Sequence, residues 1–454
     1  MKLLNTILSI AAVSFFAIQA IGAEYFVNDN LLANDEWCSA VGNNANDGLS
    51  PATPKASVQA ILDTYDLQPG DVVRIDTGTY TLTANIVVGT ADGGSSAAPV
   101  TFECSPYGVT FNRGDTASGS SYGWDIQASY VTLTTAASAK YPGVAQSWVK
   151  VTGAYYGLRI TGTGCRVSRC ESFNNSQFGI YVGGGSVTLE NCLVRGYGFI
   201  GVNLSSSASS VAVRNCTVVA TAGTRGVHFQ SSSCSLANNI ITVDGANSYG
   251  LYRDTSYNPT LTASDYNLFY VSNGAAVGNY SQARASLNDW RTATGKDAHS
   301  LSRNPQFVNA AAGDYHEQSS AGSYHGGAFT PDATNSPAID TGSGDAGSEP
   351  TANTTPLHLE NEGQRNLGAY GGTEQASKTP VGRLVWLYGP LGGENYQDTA
   401  NPVDLRWTWV VTGWQSGNNL NLEYSANSGG SWSAISGAGS VAVESGPYSW
   451  DVGS

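Results

Sequence analysis

Charge is scarce in this chain. Lys, Arg, Asp and Glu make up 12% of its 454 residues, against about a quarter in an ordinary globular protein. Gly at 54 positions, with Ser, Thr and Asn, takes the place of charge, a composition that builds many short strands joined by tight turns and argues against helices. Basic residues are the scarcer sign: 21 Lys and Arg face 35 Asp and Glu, for a net charge of −14. Nucleic acid and anionic membrane surfaces need clustered Lys and Arg, so neither is expected as a partner, and a strongly anionic polymer is disfavoured. Long apolar runs are missing too, with one exception. Residues 3–21 follow a single Lys, are apolar apart from Asn5, Thr6, Ser9, Ser14 and Gln19, and lead into Gly22 and Ala23. That is the layout of a secretory signal over residues 1–23, cleaved near 20–23, and it predicts a secreted or cell-surface protein. No second stretch of about 18 apolar residues follows, so no membrane insertion is expected after the signal is removed. A Ser-His-Asp order, a Gly-rich phosphate loop and a CxxC pair are all lacking, and His299, His316, His325 and His358 have no metal-ligand spacing. No metal or cofactor is expected, with calcium at Asp29, Asn30, Asp35, Asn46 and Asp47 as the exception; the other reading of those five is as turn formers bonded to their own backbone.

What the chain does have is a repeat. The segments Tyr156-Gly157-Leu158-Arg159-Ile160, Phe178-Gly179-Ile180-Tyr181-Val182, Ile200-Gly201-Val202-Asn203-Leu204, Arg225-Gly226-Val227-His228-Phe229 and Tyr249-Gly250-Leu251-Tyr252-Arg253 align, their glycines stepping by 22, 22, 25 and 24. A second register, Val167, Leu189, Val213 and Leu236, steps by 22, 24 and 23. Two strand registers at a constant offset mean coils stacked on coils, an all-β right-handed parallel β-helix. A leucine-rich repeat has a similar period, but it needs a Leu-dominated consensus and usually a helical segment per repeat. No coil can bury its apolar side chains alone, so stacking makes one interior. Period-two alternation points Leu158 and Ile160, Ile180 and Val182, Val202 and Leu204, and Val227 and Phe229 inward, with Cys165, Val187, Val211 and Cys234 in another inward row. Cys170, Cys192 and Cys216 follow the same period and read as a buried row of small apolar side chains. Of the seven cysteines, only Cys38 and Cys104 are expected to pair. Val58, Ile61, Leu62 and Tyr65 fall at helical spacing behind Pro54, which predicts a cap helix over residues 54–66. The strand 71–76 would then open the first coil.

The run Gly42-Asn43-Asn44-Ala45-Asn46-Asp47-Gly48-Leu49-Ser50-Pro51-Ala52-Thr53-Pro54, then Pro69-Gly70-Asp71 and Asp76-Thr77-Gly78-Thr79-Tyr80, resembles the opening of secreted bacterial right-handed β-helix proteins of the pectate-lyase-like superfamily. Residues 289–300, Ser336-Pro337-Ala338-Ile339-Asp340-Thr341-Gly342 and Arg365-Asn366-Leu367-Gly368-Ala369-Tyr370-Gly371-Gly372-Thr373 are similar to its closing part. The resemblance covers residues 24–378, with 24–80 as cap and first coil and 286–378 as final coils and capping loops. It implies an architecture shared by lyases, hydrolases, epimerases and surface proteins, and so selects no activity. After Thr379-Pro380 the pattern becomes longer alternating strands over 381–454, read as an antiparallel β-sandwich. Its Leu405-Arg406-Trp407 and Tyr448-Ser449-Trp450 resemble Ig-like modules, and residues 425–432 resemble an Asp-box hairpin with Asn427 at the Asp position, expected to be structural. A complete sandwich takes about 100 residues, so this module reads as truncated, with further domains expected beyond Ser454.

On the repeat strands the outward residues are Arg159, Tyr181, Asn203, His228 and Tyr252. Coils stack about 4.8 Å apart, so these five form a ladder of about 20 Å, long enough for several units of an extracellular polysaccharide. The alternative is a solvated strand face. As catalytic candidates, Arg159 would neutralise a uronate carboxylate and His228 would act as base, but three coils, about 14 Å, separate them. Glu171, Glu190, Asp244 and Asp254 are placed at turns or other faces, which leaves no carboxylate pair for glycoside hydrolysis. Polysaccharide binding is the leading reading; a uronate lyase and a non-catalytic stalk or adhesin are the alternatives.

Overall fold

The computed structural model describes residues 22–137, 147–221, 223–344, 347, 349, 365–380, 382–390, 402–410, 414, 417–427 and 430–452. The leader expected at 1–23 therefore lies, up to residue 21, outside the described residues. Each coil gives one strand to each of three nine-stranded sheets. The first sheet runs from Glu24–Val27 through Val72–Ile75 to Leu261–Asp265. The second climbs through Tyr122–Ile126, Tyr156–Ile160, Phe178–Val182, Ile200–Leu204, Arg225–Phe229 and Tyr249–Arg253, and the third runs from Gly78–Thr81 to Leu301–Ser302. Pairing is parallel throughout the stack until Gln282–Arg284 folds back antiparallel on Ala276–Tyr280 and ends the second sheet. The body is a right-handed parallel β-helix, the hand favoured by crossovers between twisted parallel strands.

All eight side chains predicted inward from Leu158 to Phe229 lie in one continuous core, together with Cys165, Val187, Val211 and Cys234. Cys170, Cys192 and Cys216 are buried in the same core, as their spacing predicts. The corner between the first and third sheets is turned by Asn191, Asn215 and Asn238 at φ 51, 48 and 59. Asn tolerates this left-handed backbone better than most residues because its short side chain crowds little.

Three expectations are corrected. The cap helix is shorter than 54–66: it spans Val58–Leu62, with the Ser57 hydroxyl accepting from the Ala60 N–H. Lys55 pairs with Val27 as an isolated parallel bridge, which holds Pro54 out of the helix. The strand near 71–76 is not the first rung, because Glu24–Val27 lies beneath Val72–Ile75 in register. No disulfide joins Cys38 to Cys104; all seven cysteines are buried thiols.

At the far end, where capping loops are expected, the helix Leu287–Thr294 closes the stack. Its capping box pairs Ser286 with Asp289. Its Trp290 is fully buried over Gly278, where an added Cβ would sit 2.5 Å from the indole. Trp290 Nε1 donates to Asp297 Oδ2 at 2.8 Å. From there the chain doubles back as a strap along the third sheet. Asn191 Nδ2 donates to the Ala369 and Gly371 carbonyls and Asn215 Nδ2 to that of Asn366. Arg169 pairs with Glu374 at 2.6 Å, and Trp148 packs on Tyr370 at 4.9 Å. The strap therefore covers the third sheet and its corner. Beyond Pro380, Leu384–Gly389, Val403–Val410 and Tyr448–Trp450 pair antiparallel, over a small core that includes Leu405, Trp407, Trp409 and Val443. In the hairpin, Asn427 Oδ1 accepts from the Ser431 N–H at 2.8 Å and from the Ser425 hydroxyl at 3.0 Å, which makes it a turn-forming residue.

Candidate functional site

Parallel register places Asp125, Arg159, Tyr181, Asn203, His228, Tyr252 and Asn279 opposite one another on successive rungs of the second sheet. The five residues singled out from the repeat thus share one outward row. Their exposure differs from the expectation of a uniformly open stripe. Arg159, Tyr181 and Tyr252 are half-buried, whereas Asn203 is 5% and His228 4% exposed. Asn203 is a short side chain between Tyr181 and His228, and Tyr252 meets the His228 ring edge-on at 5.2 Å.

A second outward row was missed. Tyr122, Tyr156, Phe178, Ile200, Arg225, Tyr249 and Ala276 are also opposite one another. Strict alternation would turn Tyr156 inward with Leu158, but the glycine between them sits against the neighbouring coil. A Cβ on Gly179, the equivalent glycine one coil on, would lie 2.3 Å from Val194 Cγ1 and 2.7 Å from the Gly201 carbonyl. The signal was present in the aligned segments, as an aromatic or Arg directly before the glycine in four of the five.

The two rows form a band of stacked rings. Tyr122 and Tyr156 centroids are 5.4 Å apart, Tyr156 and Phe178 4.5 Å, and Tyr156 and Tyr181 5.8 Å, the last pair inclined by 16°. Tyr155 and Phe199 extend the band at either side, 5.2 Å from Tyr156 and 6.3 Å from Phe178. Arg159 Nη1 donates to Asp125 Oδ1 at 2.7 Å and lies 5.4 Å from the Tyr122 ring centre, so its charge is already matched. Arg225 is held by rings, 4.9 Å from Phe199 and 3.8 Å from Tyr252.

His228 Nε2 lies 3.5 Å from Asp254 Oδ2, and neither ring nitrogen has a hydrogen-bond partner. Burial, reinforced by the Arg225 charge and opposed by Asp254, pushes the imidazole down to about 4. It is neutral at pH 7, able to accept a proton and unable to donate one as an imidazolium. Asp254, expected away from this face, instead stands beside it, fixed by Gln230 Nε2 at 3.0 Å and the Ser256 N–H at 3.0 Å. Arg159 and His228 are three rungs apart, about 14 Å, as the spacing predicts. The face's carboxylates, Asp125 and Asp254, are separated by five rungs, about 24 Å, too far to flank one glycosidic bond, which takes roughly 5–9.5 Å.

The other sequence candidates bond locally. Asp29 accepts from the Leu31 N–H, Asp35 from Asn28 Nδ2, and Asp47 from the Leu49 N–H and the Thr53 hydroxyl, while Asn46 donates to the Pro54 carbonyl. Glu171 pairs with Arg195 at 2.7 Å, and Glu190 pairs with Arg166 and with Arg214. His299 and His316 each contact a carboxylate at 2.7 Å, Asp265 and Asp314 respectively, and His325 lies 3.8 Å from Asp332. His358 lies outside the described residues.

The family described as right handed beta helix region matches residues 128–281. Those residues hold most of both rows. Among solved structures the chain is similar to the pectate lyase Pel9A, with 14% identity, a TM-score of 0.37, and coverage of 76% of this chain and 96% of that one. It is similar to an alginate lyase from Paenibacillus sp. str. FPU-7, at 14% identity and TM-score 0.31 over 54% of this chain and 95% of that one. A lacto-N-biosidase from Eubacterium ramulus follows at 11% identity and TM-score 0.29, over 57% of this chain and 55% of that one. No curated protein matches the chain by sequence.

Proposed function

We propose that this is an exported or cell-surface protein that binds an extracellular polysaccharide along the second sheet. The observation that carries the reading is the band Tyr122, Tyr156, Phe178 and Tyr181, four half-buried rings layered across successive rungs on the sheet face that the strap leaves open. Rings stacked on one another turn their edges and the Tyr hydroxyls outward, which offers a sugar apolar contact beside hydrogen bonds, and the rows from Tyr122 to Tyr249 span about 24 Å, several sugar units. Arg225 and Tyr252 add a cation and a hydroxyl at the far end. Among the described residues no helix is long and apolar enough to cross a membrane.

The lyase reading has one observation in its favour: a neutral His228 shares its strand with Arg225, and Tyr252 touches both. On that reading a base and a neutraliser would stand within one rung, whereas Arg159 and His228 are three rungs apart. Affinity electrophoresis in gels containing neutral or uronate polysaccharides, with absorbance of unsaturated products followed in parallel, separates the readings. Retardation is expected in at least one gel, and Tyr156→Ala with Phe178→Ala weakens it about tenfold per ring, or ~1.4 kcal/mol each. Unchanged mobility of the double variant rules the band out. New absorbance that disappears in His228→Gln establishes the lyase; neither signal leaves the stalk.

A further inference from the structure

We propose that the cleft between the outer face of the third sheet and the strap is a second saccharide site, one that takes a neutral sugar unit. It lies on a different sheet from the aromatic band and does not depend on the reading of that band. The cleft encloses about 390 Å³. Its floor is three rungs of one outward row, Val219, Thr242 and Tyr270. Its wall is the strap, where Phe307 and Tyr315 meet edge to face at 5.1 Å. These walls are fixed before any ligand arrives: Tyr315 belongs to the buried cluster of Trp148, Leu193 and Tyr370, and Tyr270 packs on that of Ile240, Leu268 and Leu301. A preformed cleft spends little of its binding energy on ordering.

Asp244 stands at the rim, opposite Ser272 of the next rung. Ser272 Oγ and Asn273 Nδ2 both donate to Asp244 Oδ1, at 2.6 and 2.7 Å, and leave Oδ2 for a ligand hydroxyl. The same two donors hold this carboxyl below the usual carboxylate range, so it is an ionised acceptor. Among the described residues no Lys, Arg or His lines the cleft. Aromatic rings for the C–H face, a charged acceptor for hydroxyls and no cation for a carboxylate or sulfate together select a neutral sugar over a uronate.

Saturation-transfer NMR on the full chain, with cellotetraose, maltotetraose and β-1,4-galactotetraose as neutral probes and tetragalacturonate as the anionic control, tests this. At least one neutral tetraose is expected to bind, about tenfold more weakly in Asp244→Asn, which keeps the Oδ1 acceptor and removes the charge. Ala310→Trp, at an exposed position on the cleft mouth, is expected to abolish that binding without touching the core. Retention of the signal in the Tyr156→Ala, Phe178→Ala double variant separates this site from the aromatic band. No binding by any neutral tetraose, equal binding by tetragalacturonate, or binding unchanged in both Asp244→Asn and Ala310→Trp would overturn the proposal.

Discussion

His228 shows how one residue's surroundings override its place in a pattern. It points away from the core, as alternation requires, yet Tyr252 and its neighbours bury it. The folded imidazole sits at about 4, below the roughly 6.5 of an unfolded histidine. Between these values the unfolded chain binds more protons than the folded one. His228 therefore costs no stability above about pH 6.5 and progressively more as pH falls toward 4, up to about 3 kcal/mol. His228→Gln is expected to lose this part of the acid destabilisation; urea unfolding of both proteins at pH 7 and pH 4.5 measures it, and equal losses in the two would refute it. The sequence showed that residue 228 faces outward, but not that it is dry, because exposure depends on side chains 24 residues away in the chain and about 4.8 Å away in space.

At the scale of the element, the glycine-led strand explains both the legible repeat and the missed row. Each glycine lies where the next coil approaches too closely for a side chain, and at Gly179 an added Cβ would lie 2.7 Å from the Gly201 carbonyl of that coil. Gly179→Ala is expected to destabilise by about 1–3 kcal/mol through overpacking. Gly119, whose added Cβ would have its nearest neighbour at 3.9 Å, should tolerate Ala within about 0.5 kcal/mol. Thermal or urea unfolding compares the two, and equal effects would remove the close-approach explanation. The period was readable because every coil meets the same constraint. The outward swing of Tyr156 and Phe178 was not, because alternation holds only along a regular strand. The cap helix failed differently. Leu62 and Tyr65 keep helical spacing, but the Tyr65 hydroxyl reaches the Asp47 carbonyl and its ring lies 4.8 Å from Tyr25, so a tertiary contact continues the apolar pattern after the helix ends.

For the whole molecule, the seven buried thiols are a measurable feature. Burial raises the thiols of Cys104, Cys165, Cys170, Cys216 and Cys234, which keeps them from the reactive thiolate form. A thiol reagent such as Ellman's is expected to label none of them in the native protein and all seven after unfolding without reductant; fewer than seven would mean that a bridge such as Cys38 to Cys104 forms after all. The repeat alone determined the coil, the inward rows and the shared outward ladder, because these follow from local alternation and a constant period. Tertiary structure alone decided which faces stay open. The strap returns over the third sheet from more than a hundred residues downstream, and its bonds to Asn191 and Asn215 come from backbone carbonyls that carry no sequence signal. Among the described residues, covering one sheet leaves the second as the open aromatic face and creates the cleft at Asp244, and contacts of that range are set by packing, not by any periodicity a chain can display.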